Sequence, residues 1–526
     1  MNKELKIVAS LLVLTSWLKA GLASQWNLWV VHFVVIAVAV AMLAKDRSLR
    51  KRFSQAITPL ILMLLYGFVG FWNPSFKTLT LDEWNRINAE KYLSRETNLE
   101  KVALVSNGFR SIRAVQKDDP KLALAIFFDL RNTYFDRFGE GKSGCGDLIT
   151  RYENEISLQA IPYLPTSTII DSRSILFFID FLLQFSFGLV TYFLIRSRQE
   201  VRLFMWVICI NAAILAIVGI IQKMNYIPSD YAKEILGLWD APEPRYFYSS
   251  FTYKNHWSAF VILSLFCCFS LLYYEFKNLR TKVIHCKAIF ILLFSASSIV
   301  ISVAHSGSRS GILILFVFFA LALIFSASRL RRFKIQLFTF PLLFICVLFF
   351  SFMLNKETSK EMWGNTSMQI KSFSGDQKPM RLLFWTDLFQ QIQTRTLWGN
   401  GHDSFRAINP IHQSREVRKR RTAGLEYAHS KYVPLVGHGH SDFLEFISEF
   451  GIIGLMTISV YFLIAVSQVV NGPTFFSKLS LLGCIALASY CFVDFPIRNP
   501  ACLLLFSTVL SLSFKYTKLT VSKNRN

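Results

Sequence analysis

The chain has 526 residues, of which 53% are hydrophobic and 17% are charged, and its formal net charge is +23. Soluble domains carry about 25% charged residues, so this composition argues against a soluble enzyme, and the basic residues lack the clustered soluble face that binds nucleic acid. Seven of the nine cysteines lie inside apolar runs, and no Cys-x-x-Cys pair or His/Cys cluster points to a disulfide framework or a zinc site.

Twelve apolar runs follow one another along the chain, each of about 17–25 residues and long enough to cross a hydrocarbon core of roughly 30 Å as a helix. A bilayer offers no water to an open backbone, so we expect transmembrane helices. The predicted spans are 6–23, 27–44, 57–73, 174–195, 201–221, 256–274, 288–305, 311–327, 335–354, 441–467, 477–494 and 499–514. The first could instead be a signal peptide, although a retained anchor is the preferred interpretation.

Basic residues predict the orientation. The short segments rich in Lys and Arg are 1–5, 45–56, 196–200, 275–287, 328–334 and 515–526. The short loops predicted on the other side of the membrane carry far fewer basic residues. The positive-inside rule places the basic set and both termini in the cytoplasm. The long segments 74–173, 222–255 and 355–440 then lie on the external side.

The spans and long loops divide the chain into five predicted parts. These are helices 1–3 (1–73), an external accessory segment (74–173), helices 4–9 (174–354), a large external loop (355–440), and helices 10–12 with a cytoplasmic tail (441–526). The amphipathic stretch 122–128 makes a small helical accessory domain plausible. The basic run 415–421 is either a docking site for an anionic glycolipid or a solvated loop.

Four polar clusters stand near predicted external span ends. They are 245–256, ahead of the sixth span; 305–311, a tight turn; 381–385; and 437–454. Their arginines could be interfacial anchors or surface charges. Arg309 favours a functional role, because an Arg in so short a turn is costly and usually paired or functional. His438 and His440 could simply precede the tenth span, with Ser441 or Asp442 as its N-cap; metal binding by two histidines alone is a weaker alternative.

Taken together, the clusters place several arginines and one or two histidines on one membrane face. That set of residues suits a polyprenyl-diphosphate donor. Guanidinium groups are always charged and donate hydrogen bonds in a planar fork, so they can stabilise a diphosphate leaving group. A histidine can take the proton of an attacking sugar hydroxyl. No Asp-x-Asp pair of the kind that holds a metal–phosphate complex occurs, so a metal-independent mechanism is expected.

The clusters also resemble the motifs of a known family. The last one reads His440-Ser441-Asp442-Phe443-Leu444 and then Glu449-Phe450-Gly451-Ile452-Ile453-Gly454. This is similar to the "HNxxL…E-x-G-hydrophobic-hydrophobic-G" signature of the O-antigen ligase/polymerase (Wzy-C) family. The turn 306–311 resembles its Ser-Arg-Ser-Gly turn, 381–401 its "RxxxW…GxG" segment, and 245–255 its "R…F…N" segment, all in the family's order.

The resemblance implies a GT-C-like, all-α polytopic fold of about 12 transmembrane helices in the bacterial inner membrane, with a large periplasmic loop. It implies transfer of an undecaprenyl-diphosphate-linked glycan to a glycolipid or growing glycan at the periplasmic face, without a cofactor. Carried over by position, Arg309 and Arg245 would bind the diphosphate, Arg381 would position the donor or loop, Asn255 would join the substrate-binding set, and His440, with His438 as second candidate, would be the base. The segment 74–173 is not a usual feature of the family.

Several alternatives stay open. Lipid A-core ligation, polymerisation of repeat units and glycosylation of a protein differ only in the acceptor, and we slightly favour the ligase. A transporter for the same lipid-linked glycan would need charges within its spans, of which Asp180 is the clearest. A non-catalytic partner of a cell-wall machine is a third hypothesis, in which the arginines and histidines would tolerate replacement.

Overall fold

The computed structural model describes residues 1–19, 25–139, 144–225, 235–236, 238–239, 246–278, 284–327, 360, 364, 367, 378–421 and 435–525. The predicted span 335–354 lies outside these residues. The helices are α1 Lys3–Trp17, α2 Gln25–Lys45, α3 Arg47–Phe71, α4 Leu81–Ile87, α5 Ala89–Leu93, α6 Leu99–Val115, α7 Pro120–Phe138, α8 Gly144–Ile156, α9 Ser172–Leu194, α10 Arg198–Met224, α11 Lys254–Asn278, α12 Ile284–His305, α13 Arg309–Ala327, α14 Met380–Thr394, α15 Phe405–His412, α16 Arg415–Arg421, α17 Asp442–Val470, α18 Phe475–Tyr490 and α19 Pro500–Arg525. A 3₁₀ turn, Pro496–Arg498, precedes α19.

Eight helices within the described part of the chain are long and apolar enough to cross a membrane. They are α2, α3, α9, α10, α11, α12, α17 and α19. Two shorter apolar helices, α13 and α18, correspond to the predicted spans 311–327 and 477–494. The first predicted span is shorter than expected, because α1 ends at Trp17. The protein is therefore an all-α polytopic membrane protein, as predicted, and the number of twelve spans stays a prediction.

Two spans extend further than the hydropathy pattern predicts. The helix α3 begins at Arg47, inside the basic segment 45–56, and α19 runs through 515–525. Neither basic stretch contains Gly or Pro, and Lys and Arg are good helix formers, so the polar residues continue the helix. The carboxylate of Asp46 accepts hydrogen bonds from the backbone N–H of Ser48 (2.9 Å) and Leu49 (3.2 Å), which caps the start of α3.

The chain forms two compact units. Unit 1 comprises Met1–Thr58, Asp180–Lys371 and Ser459–Asn526, and unit 2 comprises Pro59–Ile179 and Ser372–Ile458. In unit 1 the helix α11 is central and packs against α10, α12 and α18. Its residues are apolar on nearly all sides, which is typical of a fully buried helix. Its first turn, with Asn255 and His256, is therefore buried inside the unit.

Unit 2 contains a helical accessory region, α4 to α8, which encloses a small aromatic core. The ring of Tyr152 on α8 lies 5.0 Å from Trp84, 5.1 Å from Phe109 and 4.6 Å from Phe127, measured between ring centroids. The helix α15 packs against α7 on this region. Two short parallel strands, β1 (Pro74–Phe76) and β2 (Ser167–Ile169), pair at its base, with Pro74 opposite Ser167. The segment 74–169 thus has its own apolar core and is joined by hydrogen bonds at both ends.

Candidate active site

The predicted site residues divide between the two units. Arg309 and Asn255 lie in unit 1, and Arg381, His438 and His440 lie in unit 2. Arg245 lies outside the described residues.

The serine turn of unit 1 joins α12 to α13 through residues 306–308. Gly307 has a φ of +69°, which a residue with a side chain rarely adopts. The hydroxyl of Ser308 accepts a hydrogen bond from the N–H of Gly311 (3.1 Å), so it caps the first turn of α13. Arg309 is the first residue of α13 and is half-buried. The turn therefore fixes the N-terminus of α13, where the helix dipole is positive and Arg309 begins the helix.

A buried polar cluster lies behind this turn; it consists of Asn255, Ser308, Tyr490 and Asp494. The amide nitrogen of Asn255 donates to Asp494 Oδ2 at 2.5 Å, and its carbonyl accepts from the Ser308 hydroxyl at 2.6 Å. The hydroxyls of Ser308 and Tyr490 are 3.0 Å apart. The four residues are between 0% and 5% exposed. These contacts tie α11, α13 and α18 together, and the substrate-binding role of Asn255 stays a prediction.

Asp494 and Tyr490 were missed by the sequence analysis. Asp494 ends the predicted span 477–494, where one acid at a membrane surface gives no hint of its partner. The rule that charges within apolar segments are paired or functional could have singled it out. Its partner Asn255 stands 239 residues earlier in the chain, and no local pattern links the two.

In unit 2, a glycine turn docks onto a break in α17. The helix departs from helical geometry at Gly451, which has φ +64° and ψ −175°. Backbone N–H groups of Ile452 and Ile453 donate to the carbonyls of Thr396 (3.0 Å) and Leu397 (3.2 Å). In the other direction, the N–H groups of Asn400 and Gly401 donate to the carbonyls of Ser448 and Glu449, both at 2.8 Å. The turn thus satisfies the backbone groups that the break leaves unpaired.

Close backbone approach explains the glycines of this junction. A Cβ atom on Gly399 would lie 2.4 Å from the carbonyl oxygen of Glu449, and one on Gly451 would lie 2.2 Å from that of Leu397. Neither contact can be relieved by moving a side chain, because the opposing atoms are backbone. The hydroxyl of Tyr66 adds hydrogen bonds to the carbonyls of Trp398 and Phe450 (2.8 Å to the latter). The Gly-x-Gly and Glu-x-Gly motifs are therefore two halves of one junction.

The histidine turn, residues 437–440, leads into the N-terminus of α17. The carboxylate of Glu445 is fully buried; its Oε1 accepts a hydrogen bond from the N–H of Gly439 at 2.5 Å, and its Oε2 lies 3.3 Å from His438 Nδ1. The side chain of His438 is 37% exposed. His440 has a φ of +55°, and its ring stacks on Phe384 with 6.2 Å between centroids. A partly exposed imidazole that contacts a buried carboxylate is suited to general base chemistry.

Ser441 is the N-cap, as one of the two interpretations of this segment expected. Its hydroxyl accepts a hydrogen bond from the N–H of Leu444 at 3.3 Å. A second histidine–carboxylate pair lies near the glycine junction, where His402 Nδ1 is 3.8 Å from Glu449 Oε2. Both pairs offer two potential metal ligands each. The described residues contain no group of three or more His, Cys, Asp or Glu side chains arranged to hold a metal ion.

The basic run of the large loop is partly neutralised. It forms the helix α16, in which Arg418 contacts Asp136 at 2.7 Å and Arg421 contacts Asp129. The side chains of Arg421 and Asp129 are 8% and 5% exposed, so this is a buried ion pair. Two of the arginines proposed to attract an anionic glycolipid therefore hold α16 against α7 of the accessory region. Arg381, on α14, is half-buried.

Comparison with known protein families matches part of the chain. Residues 290–459 match the family model described as O-antigen ligase, which confirms the resemblance read from the motifs. The matched segment contains Arg309, Arg381, His438 and His440, and supports a glycan-transfer function of the ligase or polymerase kind. A comparison with curated proteins found no match.

Proposed function

We propose, from the premise that residues 290–459 belong to the O-antigen ligase family, that the protein transfers a glycan from an undecaprenyl-diphosphate-linked donor to a sugar hydroxyl of an acceptor. The reaction takes place at the periplasmic face of the bacterial inner membrane and needs no metal. The observation that carries the proposal is the contact of His438, inside the matched segment, with the buried carboxylate of Glu445.

In the proposed step, the acceptor oxygen attacks the anomeric carbon of the donor glycan. A C–O bond forms there, the proton of the acceptor hydroxyl passes to an imidazole, and the bond between the anomeric carbon and the diphosphate oxygen breaks. The diphosphate leaves with that electron pair. Negative charge grows on it as the bond breaks, so cationic hydrogen-bond donors placed around it lower the barrier.

Glu445 is proposed to orient the base. A carboxylate that accepts a hydrogen bond from Nδ1 of His438 fixes the tautomer in which Nε2 carries the lone pair, and it stabilises the imidazolium after proton transfer. His440, the first candidate from the family motif, stays in the proposal as the alternative base. The Glu445 contact favours His438 over His440.

Arg309 is proposed to bind the diphosphate, because it is the first residue of α13, where the helix dipole also favours an anion. Arg245 is proposed as a second diphosphate ligand and Arg381 as a donor-positioning residue, both from the family motifs. The acceptor is proposed to be a glycolipid of the lipid A-core type. A repeat-unit polymerase or a protein O-oligosaccharyltransferase would use the same residues with a different acceptor.

A transporter for the lipid-linked glycan is the second candidate, and one observation favours it. His32 on α2 pairs with Asp180 on α9, both within candidate spans, and Gln184 Nε2 donates to Asp180 Oδ2 at 2.8 Å. Buried titratable pairs inside spans are typical of proton-coupled transport.

The testing experiment is a glycolipid profile of a deletion strain that carries wild type, Arg309→Ala, His438→Ala or His440→Ala, with protein amounts measured by immunoblot. Arg113→Ala, an exposed arginine of α6, is the matched control. The ligase proposal expects undecaprenyl-linked full-length glycan to accumulate with Arg309→Ala and with one of the histidine variants, but not with Arg113→Ala.

Other outcomes separate the alternatives. Accumulated single repeat units identify a polymerase. Normal glycans from all three well-expressed variants, combined with a loss of surface glycan in Asp180→Asn, would favour the transporter and reject the proposed catalytic residues.

A further inference from the structure

An exposed apolar loop follows α8 in the accessory region. Residues 157–166 contain no Asp, Glu, Lys or Arg. Leu158 and Leu164 are each 39% exposed, Ile161 is 52% exposed and Tyr163 is 81% exposed. Single exposed apolar residues are normal on a protein surface, but a contiguous group of them marks a surface that meets something other than water.

The exposed face of α3 leads toward this loop. Ile61, Leu65, Phe68 and Trp72 follow one another at helical spacing and are 47%, 54%, 59% and 77% exposed. Because α3 is a candidate span, this row is the face that lipid would cover. Trp72 comes directly after the last residue of α3, at the place where Trp is enriched at membrane–water interfaces.

Asn73 ties the loop to the end of that span. Its amide nitrogen donates to the carbonyls of Ile161 (3.0 Å) and Pro165 (3.1 Å), and its side-chain oxygen accepts from the N–H of Ile161 at 2.7 Å. The N–H of Leu158 donates to the carbonyl of Ser75 at 2.9 Å. The loop is thus held next to the end of α3. Its depth relative to the membrane surface is therefore set by where α3 ends.

We propose that residues 158–164 form a membrane-interface anchor, in which Ile161, Tyr163 and Leu164 insert into the headgroup region of the lipid bilayer beside Trp72. The occupant of this surface is lipid, because the apolar loop continues the lipid-facing row of α3 without an intervening charge. An amphipathic Tyr beside aliphatic residues is typical of the interfacial region, where one end of the ring is apolar and the other is wet. The anchor fixes the base of the accessory region at the membrane surface.

Another exposed apolar residue provides the contrast. Leu99, at the start of α6, is 82% exposed but stands next to Glu100 and Lys101. It has the exposure of Tyr163 without the apolar surroundings or the connection to a span. We therefore expect Leu99 to face water.

The test places an environment-sensitive fluorophore (NBD) on Tyr163→Cys, Ile161→Cys or Leu99→Cys in the full-length protein, in lipid nanodiscs. Cys286, the exposed cysteine of the described residues, is replaced by Ser, and the parent without an added cysteine gives the background. Fluorescence is compared in ordinary and brominated phosphatidylcholine, and with aqueous iodide as a second quencher. We expect brominated lipid to quench positions 163 and 161 at least about twofold more than position 99, and iodide to show the reverse order.

Two results would overturn the proposal. Equal iodide quenching at positions 163, 161 and 99, without quenching by brominated lipid, would place the loop in water. Protection of positions 163 and 161 from both quenchers would show that protein covers the loop, either a second copy of the chain or another segment of it. Neither result bears on the proposed glycan transfer.

Discussion

The buried polar cluster of unit 1 and the histidine turn of unit 2 differ in which polar groups remain open to solvent. In the cluster, Asn255 and Asp494 satisfy each other inside the protein and are at most 5% exposed. At the turn, the carboxylate of Glu445 is fully buried, whereas the side chain of His438 is 37% exposed. One region uses its polar groups to hold helices together, and the other presents a titratable group.

Substitutions in the two regions should therefore affect different properties, namely stability in the buried polar cluster and activity at the histidine turn. A member of a closed network leaves buried partners unsatisfied when it is removed, so the loss falls on the free energy of unfolding. The imidazole of His438 is partly exposed, and without it Glu445 keeps the hydrogen bond from the N–H of Gly439, so we expect the loss to fall mainly on activity. Four predictions test this separation.

The largest effect is expected for His438→Ala. Removal of a general base typically lowers the rate by about 10²- to 10⁴-fold. Because Glu445 keeps the hydrogen bond from Gly439, we expect a smaller loss of thermal stability than for Asp494→Ala. Glu445→Gln should lower the rate less, and the double variant should lose no more than His438→Ala, because the carboxylate acts through the imidazole. Glycan transfer by purified variants, with the melting temperature measured in parallel, is the check. Full activity of His438→Ala would assign the base elsewhere, His440 being the next variant to measure.

Gly451→Ala should disrupt the junction between residues 396–401 and the break in α17, which leads on from the histidine turn. The matched control is Gly139→Ala, since Gly139 has nearly the same backbone angles (φ +74°, ψ +174°), and a Cβ there meets no described atom within 4 Å. Both variants carry the backbone strain of about 1–3 kcal/mol, and Gly451→Ala adds the clash with the carbonyl of Leu397. Thermal unfolding in detergent should show the larger drop for Gly451→Ala; equal drops would mean that the junction with residues 396–401 adds no stability.

Asp494→Ala tests the closed cluster. It leaves the buried amide of Asn255 without its 2.5 Å acceptor, and this should lower the free energy of unfolding by about 1–3 kcal/mol. Asp494→Asn keeps an acceptor and should lose less. The decisive comparison is between the yield of folded protein and the activity per folded molecule. A variant with normal yield but no activity would show that Asp494 takes part in the reaction and does not mainly stabilise the fold.

The smallest effect is expected for Asp387, a buried carboxylate whose hydrogen bond from Ser414 (3.4 Å) is longer than that from Asn255 to Asp494 (2.5 Å). Burial raises the pKa of Asp387, and hydrogen bonds from Ser414 and the charge of Arg418 oppose the rise only in part. Because the folded-state pKa lies above the unfolded value, the stability contributed by this group is fully present at low pH and is lost as pH rises through the folded pKa. Asp387→Asn should therefore gain stability relative to wild type between about pH 4 and pH 8. A constant difference in melting temperature across this range would contradict the assignment.

The helical, membrane-spanning class of the protein follows from the sequence alone, and so do the motifs that resemble the O-antigen ligase family. Transfer of a span into lipid sums contributions from about 20 consecutive residues, so a local pattern suffices to find it. The family motifs are likewise short runs, such as 306–311 and 440–454, and the match over residues 290–459 confirms them. Span ends were less certain, because basic residues without Gly or Pro continue a helix beyond its apolar part, as in α3 and α19.

Which residues meet in space became clear from the folded structure. Asn255 and Asp494 are 239 residues apart, and Arg418 and Asp136 are 282 residues apart. In the sequence, Gly399, Gly401 and Gly451 belong to two separate motifs. In the structure the two motifs contact each other, and the close backbone approach requires glycine at Gly399 and Gly451. A hydrogen bond or a close backbone contact depends on where the folded chain returns, and residue type and local spacing do not reveal that place, because the whole sequence specifies it.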